Sequence, residues 1–386
     1  MLKLLHCGDF HLDSPFSSLD VKRSEERRRG LCRVFARVME LASECECDAV
    51  LIAGDLFDCS YICPDTVAAM KDAFAGYGKP VIVAPGNHDP YTDGSIWASR
   101  RAVFPENLHV FRSEELSSFD FPELALTVWG YAFTSDRLDR SPLSGAGSLS
   151  RPGRTGVLCA HADIVSPLSK YAPVTPRELA DSRLSYAALG HVHNPPEPAV
   201  YGATVAAYCG FPEGRGFDEQ GYGSVSVVTI DEGRVTDIRR IRVGEHRYLT
   251  ARADITGAVN DAGAAAAAAR SAADIADPAS TSLRLAVCGD VAVEYTPDTA
   301  RIAASLGDCG FYSLEVEDDT LPLLGDTSLV DDMTVRGELY RTLLPKMREG
   351  SAEERRNKVV NIHATTQLKV VLVSPQHFED ASDIAD

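Results

Sequence analysis

Five short polar clusters each follow an apolar run: GDFH with Asp9 and His11, GDLFD with Asp55 and Asp58, GNHD with Asn87, His88 and Asp89, CAHAD with His161, and GHVH with His191 and His193. They hold five of the ten histidines of the 386-residue chain. One such fragment says little; five in order, each closing an apolar strand, form a coherent set. Imidazole, carboxylate and one amide, without a thiolate, suit first-row ions such as manganese, with iron or zinc as alternatives, rather than calcium or a cysteine-rich structural zinc. So many such groups exceed what one catalytic ion with an open position can take. They suit two divalent ions about 3.5–4 Å apart, bridged by one carboxylate. Such a pair flanks a phosphate, lowers the pKa of a shared water, and stabilises charge on attacking and leaving oxygens. His191 and His193 add a spacing argument. Two residues apart on a strand, both rings leave from one face, and each could give a nitrogen to a different ion.

The elements that must position these groups are legible. LKLLHCGDFH, DAVLIAGDLFD and KPVIVAPGNHDP read as short buried strands that end in polar residues, with helix-patterned stretches between them. In the first such stretch Leu31, Val34, Phe35, Val38, Met39 and Ala42 share one stripe. In the second, Asp65 is a plausible N-cap after Pro64, and Gly78 is a stop. Alternation of strand and helix predicts parallel strands covered by helices, and ligand sites of such sheets gather at the strands' carboxyl ends. Further strands follow at LALTVWGYAF, TGVLCAHAD, SYAALGHVH, ATVAAYCG and YGSVSVVTID, which suggests a two-sheet core. Residues 141–154 read as a flexible loop from their Gly, Ser and Pro content. The pattern changes near Gly244 to a small α+β region. After Thr320 it turns helical, with Val335, Leu339, Leu343 and Met347 in one stripe bordered by Arg336, Arg341, Lys346 and Arg348, a capping box at Ser351 and Glu354, and an acidic tail.

Composition bounds the rest. The chain is 45% hydrophobic and 24% charged, as in a soluble globular protein. Its start, MLKLLHCGDFHLDSPF, lacks a signal-peptide pattern, and no apolar run reaches membrane-spanning length, so the chain reads as cytoplasmic. The ten cysteines form no C-x-x-C pair and read as reduced thiols rather than a zinc knuckle. A net charge of −18 argues against a broad basic grip on nucleic acid, though not against a phosphodiester held by bound cations. About −11 of that charge lies from Ala251 onward. The basic runs at 22–29, 99–101 and 239–247 read as solvated faces.

The clusters together resemble the calcineurin-like metallophosphoesterase superfamily, and within it the SbcD/YhaO-type DNA-repair exonucleases. GDFHLDSPF, GDLFD, PGNHDP and GHVH match that branch, as does CGFPEGRGFDEQGYG at 209–223. The resemblance is specific over about residues 1–245, looser over the next domain and weak over roughly the last 60 residues. It implies an α/β fold: a two-sheet metallophosphoesterase sandwich flanked by helices (1–245, catalytic), a small α+β capping domain (246–320), and a helical partner-docking segment with an acidic tail (321–386). It further implies that one ion takes Asp9, His11, Asp55 and His193, and the other Asp55, Asn87, His161 and His191. His88 would serve the leaving oxygen, oriented by Asp89, with Asp58 supporting the ligands from outside. The family often has a lysine near Tyr222; Arg215 is a candidate replacement for its phosphate contact, the alternative being an ion pair with Glu213 or Glu219.

The leading expectation is therefore a two-metal phosphodiesterase acting on DNA ends in repair, an exonuclease or endonuclease whose implied partners are DNA and an SMC-like ATPase subunit, with room for a homodimer and no membrane. A phosphatase or small-molecule phosphodiesterase of the same superfamily is the alternative, modestly favoured by the acidic composition. A non-catalytic scaffold for DNA and partner is the third reading, and the intact ligand set argues against it.

Overall fold

The computed structural model describes residues 1–58, 62–99, 103–164, 166, 168–292 and 295–323, together with 333, 338, 341 and 342. The expected helix at 333–347, its stripe, the capping box and the acidic tail lie outside the described residues apart from those isolated positions. The chain divides into two units, Met1–Tyr248 and Leu249–Asp386.

In chain order the first unit holds β1 (Leu2–Cys7), α1 (Val21–Glu44), β2 (Ala49–Ile52), α2 (Pro64–Tyr77), β3 (Val81–Val83), β4 (Leu108–Val110), β5 (Ser117–Phe121), β6 (Leu126–Gly130), β7 (Thr155–His161), α3 (Pro176–Ser182), β8 (Tyr186–Gly190), β9 (Ala199–Tyr201), β10 (Thr204–Tyr208), β11 (Gly221–Asp231) and most of β12 (Arg234–Asp254). They form two mixed sheets. One runs β12-β11-β1-β2-β3-β4, the other β5-β6-β7-β8-β10-β9. β1 to β4 are mutually parallel, as are β6, β7, β8 and β10, while β11 joins β1 antiparallel.

Burial on both faces explains why these strands read as unbroken apolar runs. In β1, Leu4 faces the second sheet and Leu5 the helices; in β2, Ala49 and Leu51 face the sheet while Val50 and Ile52 face the helices. Leu4, Leu51, Val128, Val157 and Tyr186 belong to the core between the sheets. Truncating one of its leucines to alanine costs about 2–5 kcal/mol. α1 lays the expected stripe, Leu31 to Ala42, on the outer face of the first sheet. Asp20 caps it, accepting the Arg23 N–H at 2.9 Å. Arg27, in the first basic run, departs from the solvated reading. It is buried and donates to Glu213 and to the Gly214 carbonyl, each at 2.7 Å. α2 ends at Gly78 in the left-handed region, φ 71°, as expected. Its N-cap is Cys63 rather than Asp65. Pro64 takes the first helical position, which places Asp65 inside the first turn.

In the second unit, β13 (Thr281–Ala292) and β14 (Ser313–Leu323) pair in parallel across the short helix α5 (Thr299–Ser305), and β12 continues that sheet. The alanine-rich α4 (Asp261–Ala273), capped by Asn260, buries Ala264, Ala265, Ala268 and Ala272 in a core with Leu283, Leu285 and Val287. Among the described residues all nine cysteines are free thiols, and no helix is long and apolar enough to cross a membrane.

Candidate metal centre

The five polar clusters stand at the carboxyl ends of β1, β2, β3, β7 and β8. The chain must turn sharply there, and Asp9 (φ 49°), His11 (φ 48°), Asp55 (φ 49°) and His191 (φ 102°) all take positive φ, a costly choice for residues with a Cβ. Backbone bonds fasten the first two turns together: Asp9 N–H to Gly54 O at 3.0 Å, His11 N–H to Asp55 O at 3.0 Å, and Leu12 N–H to Leu56 O at 2.9 Å. Two glycines permit the crowding. A Cβ on Gly86 would run into the Asp55 carboxylate, and one on Gly190 into the Ala53 carbonyl.

Three imidazoles show what the centre is built for. His161 donates Nδ1–H to the Ala53 carbonyl at 3.0 Å, so its Nε2 lone pair faces Asn87 Oδ1 at 2.9 Å and Asp55 Oδ2 at 3.4 Å. His11 gives Nδ1–H to Asp58 at 3.2 Å, and its Nε2 faces Asp55 Oδ2 at 3.7 Å. His193 gives Nδ1–H to Glu219 at 2.8 Å, and its Nε2 faces Asp9 Oδ1 at 3.6 Å and His11 Nε2 at 3.3 Å. Each outward nitrogen is tied to an acceptor, and each inward lone pair meets other lone pairs. Divalent cations satisfy that arrangement, and the outer hydrogen bonds fix each ring's tautomer for it. Asp9, His11 and His193 bring ligand atoms within 4.8 Å of one another, as do Asp9, Asp55 and His161, and His11, Asp58 and His88. The donor set therefore fits two ions.

The charges of these groups are tightly linked. Asp9 is fully buried, which by itself raises a carboxyl pKa, but the imidazoles of His193, His161 and His11 outweigh this and hold it well below the usual carboxylate range. Burial works against the His193 cation, yet Asp9 and Glu219 raise that pKa to about 10, so a proton and a metal ion compete for its Nε2. Glu219, opposed by burial, is drawn down to about 2 by His193 and Arg215. Burial and neighbouring His161 lower His191 to about 4. The carboxylate of Asp58 raises the pKa of His88 against partial burial.

Asp9, His11, Asp55, Asn87, His161 and His193 thus converge. His191 stands beside them: its backbone N–H reaches Asp9 at 3.1 Å, and its ring lies 5.1 Å from that of His161 and 4.8 Å from that of Tyr171. The same-face argument for His191 and His193 does not hold, because β8 stops at Gly190. The loop after it, with His191 at φ 102°, sends one ring toward His161 and the other toward His11. Asp89 does not orient His88. Its buried carboxylate is occupied by the N–H groups of Gly86 (2.8 Å), Leu56 (3.0 Å) and Asp55 (3.2 Å), while His88 Nδ1 lies 2.9 Å from Asp58. Asp58 also accepts Ser14 Oγ–H at 2.6 Å, so one carboxylate holds His11 and His88 together. Arg215 pairs with Glu219 at 2.7 Å and lies 3.6 Å from Asp58, whereas Glu213 is taken by Arg27. Sequence reasoning missed Glu219 as the partner of His193, and Cys209, whose thiol donates to Asp9 at 3.3 Å. Both lie in the 209–223 segment, where the sequence offers Glu219 only as an ion-pair partner of Arg215.

A family model described as calcineurin-like phosphoesterase matches residues 2–202. The chain is 28% identical over 250 residues to the uncharacterized metallophosphoesterase YhaO of Bacillus subtilis (strain 168), covering 61% of this chain and 59% of that one. It is 31% identical over 235 residues to the DNA double-strand break repair protein Mre11 of Aeropyrum pernix, covering 52% and 53%. The chain thus spans between half and three fifths of the length of these relatives. A separate, shorter similarity is 46% identity over 61 residues, 16% of this chain, to 37% of the cell division protein SepF of Alkaliphilus oremlandii.

Proposed function

This chain belongs to the calcineurin-like phosphoesterase family, and on that premise we propose that it is a metal-dependent phosphodiesterase acting on DNA ends. The observation that carries the reading is the trio of imidazoles with tied outer nitrogens and inward lone pairs facing buried carboxylates. Asp9, His11, Asp55 and His193 would hold one ion, and Asp55, Asn87, His161 and His191 the other, with manganese the first candidate and iron or zinc the alternatives. When bound, such a pair neutralises phosphate charge and lowers the pKa of water.

The protein's own contribution lies around His88. Its side chain is 44% exposed beside the centre, and Asp58 favours its charged form. It would donate a proton to the leaving oxygen, with Asp58 fixing the ring, and general acid catalysis of this kind contributes about 10²–10⁴-fold. Arg215, held by Glu219, supplies a fixed positive charge within reach of Asp58 rather than a free phosphate clamp. The similarity to Mre11 supports DNA as substrate and an SMC-like ATPase as partner. In that reading 1–245 is catalytic, 246–320 caps it and 321–386 docks the partner. The second reading, a phosphatase or small-molecule phosphodiesterase, draws on the net charge of −18.

A manganese-supplemented assay separates them. Duplex ends, single strands, bis(p-nitrophenyl) phosphate and p-nitrophenyl phosphate are compared at equal enzyme. Hydrolysis of DNA and of the diester is expected. Turnover of the monoester alone would overturn the nuclease reading, and no turnover of any of the four would overturn the enzyme reading.

A further inference from the structure

His88 lines a second feature. A cavity of about 180 Å³ opens beside it, walled by Phe57, Ile62, Pro90, Ile96 and Trp97. Pockets for drug-sized ligands run to about 300–1,000 Å³, so this one takes a single ring system rather than a whole nucleotide. Its lining is mainly apolar, backed by a packed aromatic pair. The rings of Phe57 and Trp97 lie 5.5 Å apart at 54°. The indole N–H is spent on the Asp89 carbonyl at 2.8 Å, leaving hydrocarbon to present. That bond also ties the cavity to the centre, since the Asp89 carboxylate clamps the turn carrying Asp55. At the rim, Ser95 Oγ donates to the Thr92 carbonyl at 2.8 Å and accepts the Thr92 N–H at 3.2 Å, so the Ser95 hydroxyl is already engaged.

We propose that this cavity seats one nucleobase of the substrate, the base on the leaving side of the scissile bond. The proposal rests on the phosphodiesterase reading and deepens it. His88 is the shared wall: a phosphate reacting at the centre and a ring in the cavity flank the same imidazole. An apolar wall whose Ser95 hydroxyl is engaged favours the flat apolar body of a base over its hydrogen-bonding edge, so purines and pyrimidines both enter and sequence preference is weak.

The test uses the full chain in a Trp129→Phe background, which leaves Trp97 as the sole tryptophan of the two in the sequence. Adenosine and thymidine, which carry no phosphate, are titrated in EDTA while Trp97 emission is followed. Both should quench it saturably, ribose should not, and Ile96→Asn should weaken binding about tenfold with an unchanged thermal midpoint. If that variant melts early, Ile62→Asn serves in its place. Absence of saturable quenching, or equal affinity in the folded variant, would overturn the proposal. Manganese-dependent hydrolysis of bis(p-nitrophenyl) phosphate is measured on the same protein preparations, in separate EDTA-free samples. Its loss would strike at the phosphodiesterase reading, whereas nucleoside binding reports on the cavity alone.

Discussion

At the scale of single residues, Asp55 and His88 make opposite predictions. Asp55 Oδ2 faces both His161 and His11, so it is the group placed to serve two ions. Asp55→Asn should therefore lower bound manganese from two equivalents toward one or none and cost at least 10³-fold in hydrolysis, more than Asn87→Ala at one edge of the set. Metal analysis that finds two ions retained would remove the bridging role. His88→Gln should instead keep both ions and lose about 10²–10⁴-fold in turnover. Its pH dependence follows from Asp58. The raised pKa keeps His88 protonated to higher pH than an ordinary histidine, so activity that needs its proton falls only as pH rises through that raised value. Asp58→Asn removes the first cause of the shift, and the descending limb of kcat/KM should move to lower pH. Because Asp58 also meets His11, metal content is measured alongside. A limb that stays in place would show that another group carries the proton.

At the scale of elements, the strands and the α1 stripe were legible because their signals are local. Leu31, Val34 and Phe35 are spaced by the helix period, and AVLI is apolar on both faces because both faces are buried. What stayed hidden depends on contacts across the fold. Glu219 meets His193 from 26 positions away, and Asp58 reaches back 47 positions to His11. The end of β8 at Gly190 was hidden for a related reason: the turn that follows is imposed by the close approach of Ala53, which spacing does not encode. One inter-sheet link also went unread. His6 on β1 accepts the Tyr186 hydroxyl of β8 at Nδ1 (2.8 Å) and donates Nε2–H to the Leu189 carbonyl (3.2 Å). Burial pushes its pKa down from 6.5 to about 4. The folded state thus keeps His6 neutral where the unfolded chain takes up a proton. Stability should be unaffected by this group above about pH 6.5 and should fall as pH drops toward 4, by about 3 kcal/mol in total. Urea unfolding in EDTA between pH 7 and 4 measures it. His6→Gln should be less stable at pH 7 but lose about one proton's worth of slope; equal slopes would mean that His6 does not carry the effect.

At the scale of the whole molecule, the question is which part of the chain the chemistry needs. Every group placed at the centre lies between Asp9 and Glu219, and the strands that carry them close on three cores built within the first unit. The second unit has a separate core of its own, from Ala253 and Ile255 through α4 to Leu306. Among the described residues, those that position the catalytic groups lie in the first unit. A chain truncated after Leu323 should bind two equivalents of manganese and hydrolyse bis(p-nitrophenyl) phosphate within about twofold of the full-length rate. If residues 321–386 dock an ATPase subunit, capture of that subunit should be lost in the same protein while diester hydrolysis persists. A truncated chain that precipitates, or that folds yet loses diester hydrolysis, would show instead that residues 324–386 complete the catalytic unit. The docking role would then have to be abandoned, because the segment would be explained by packing alone.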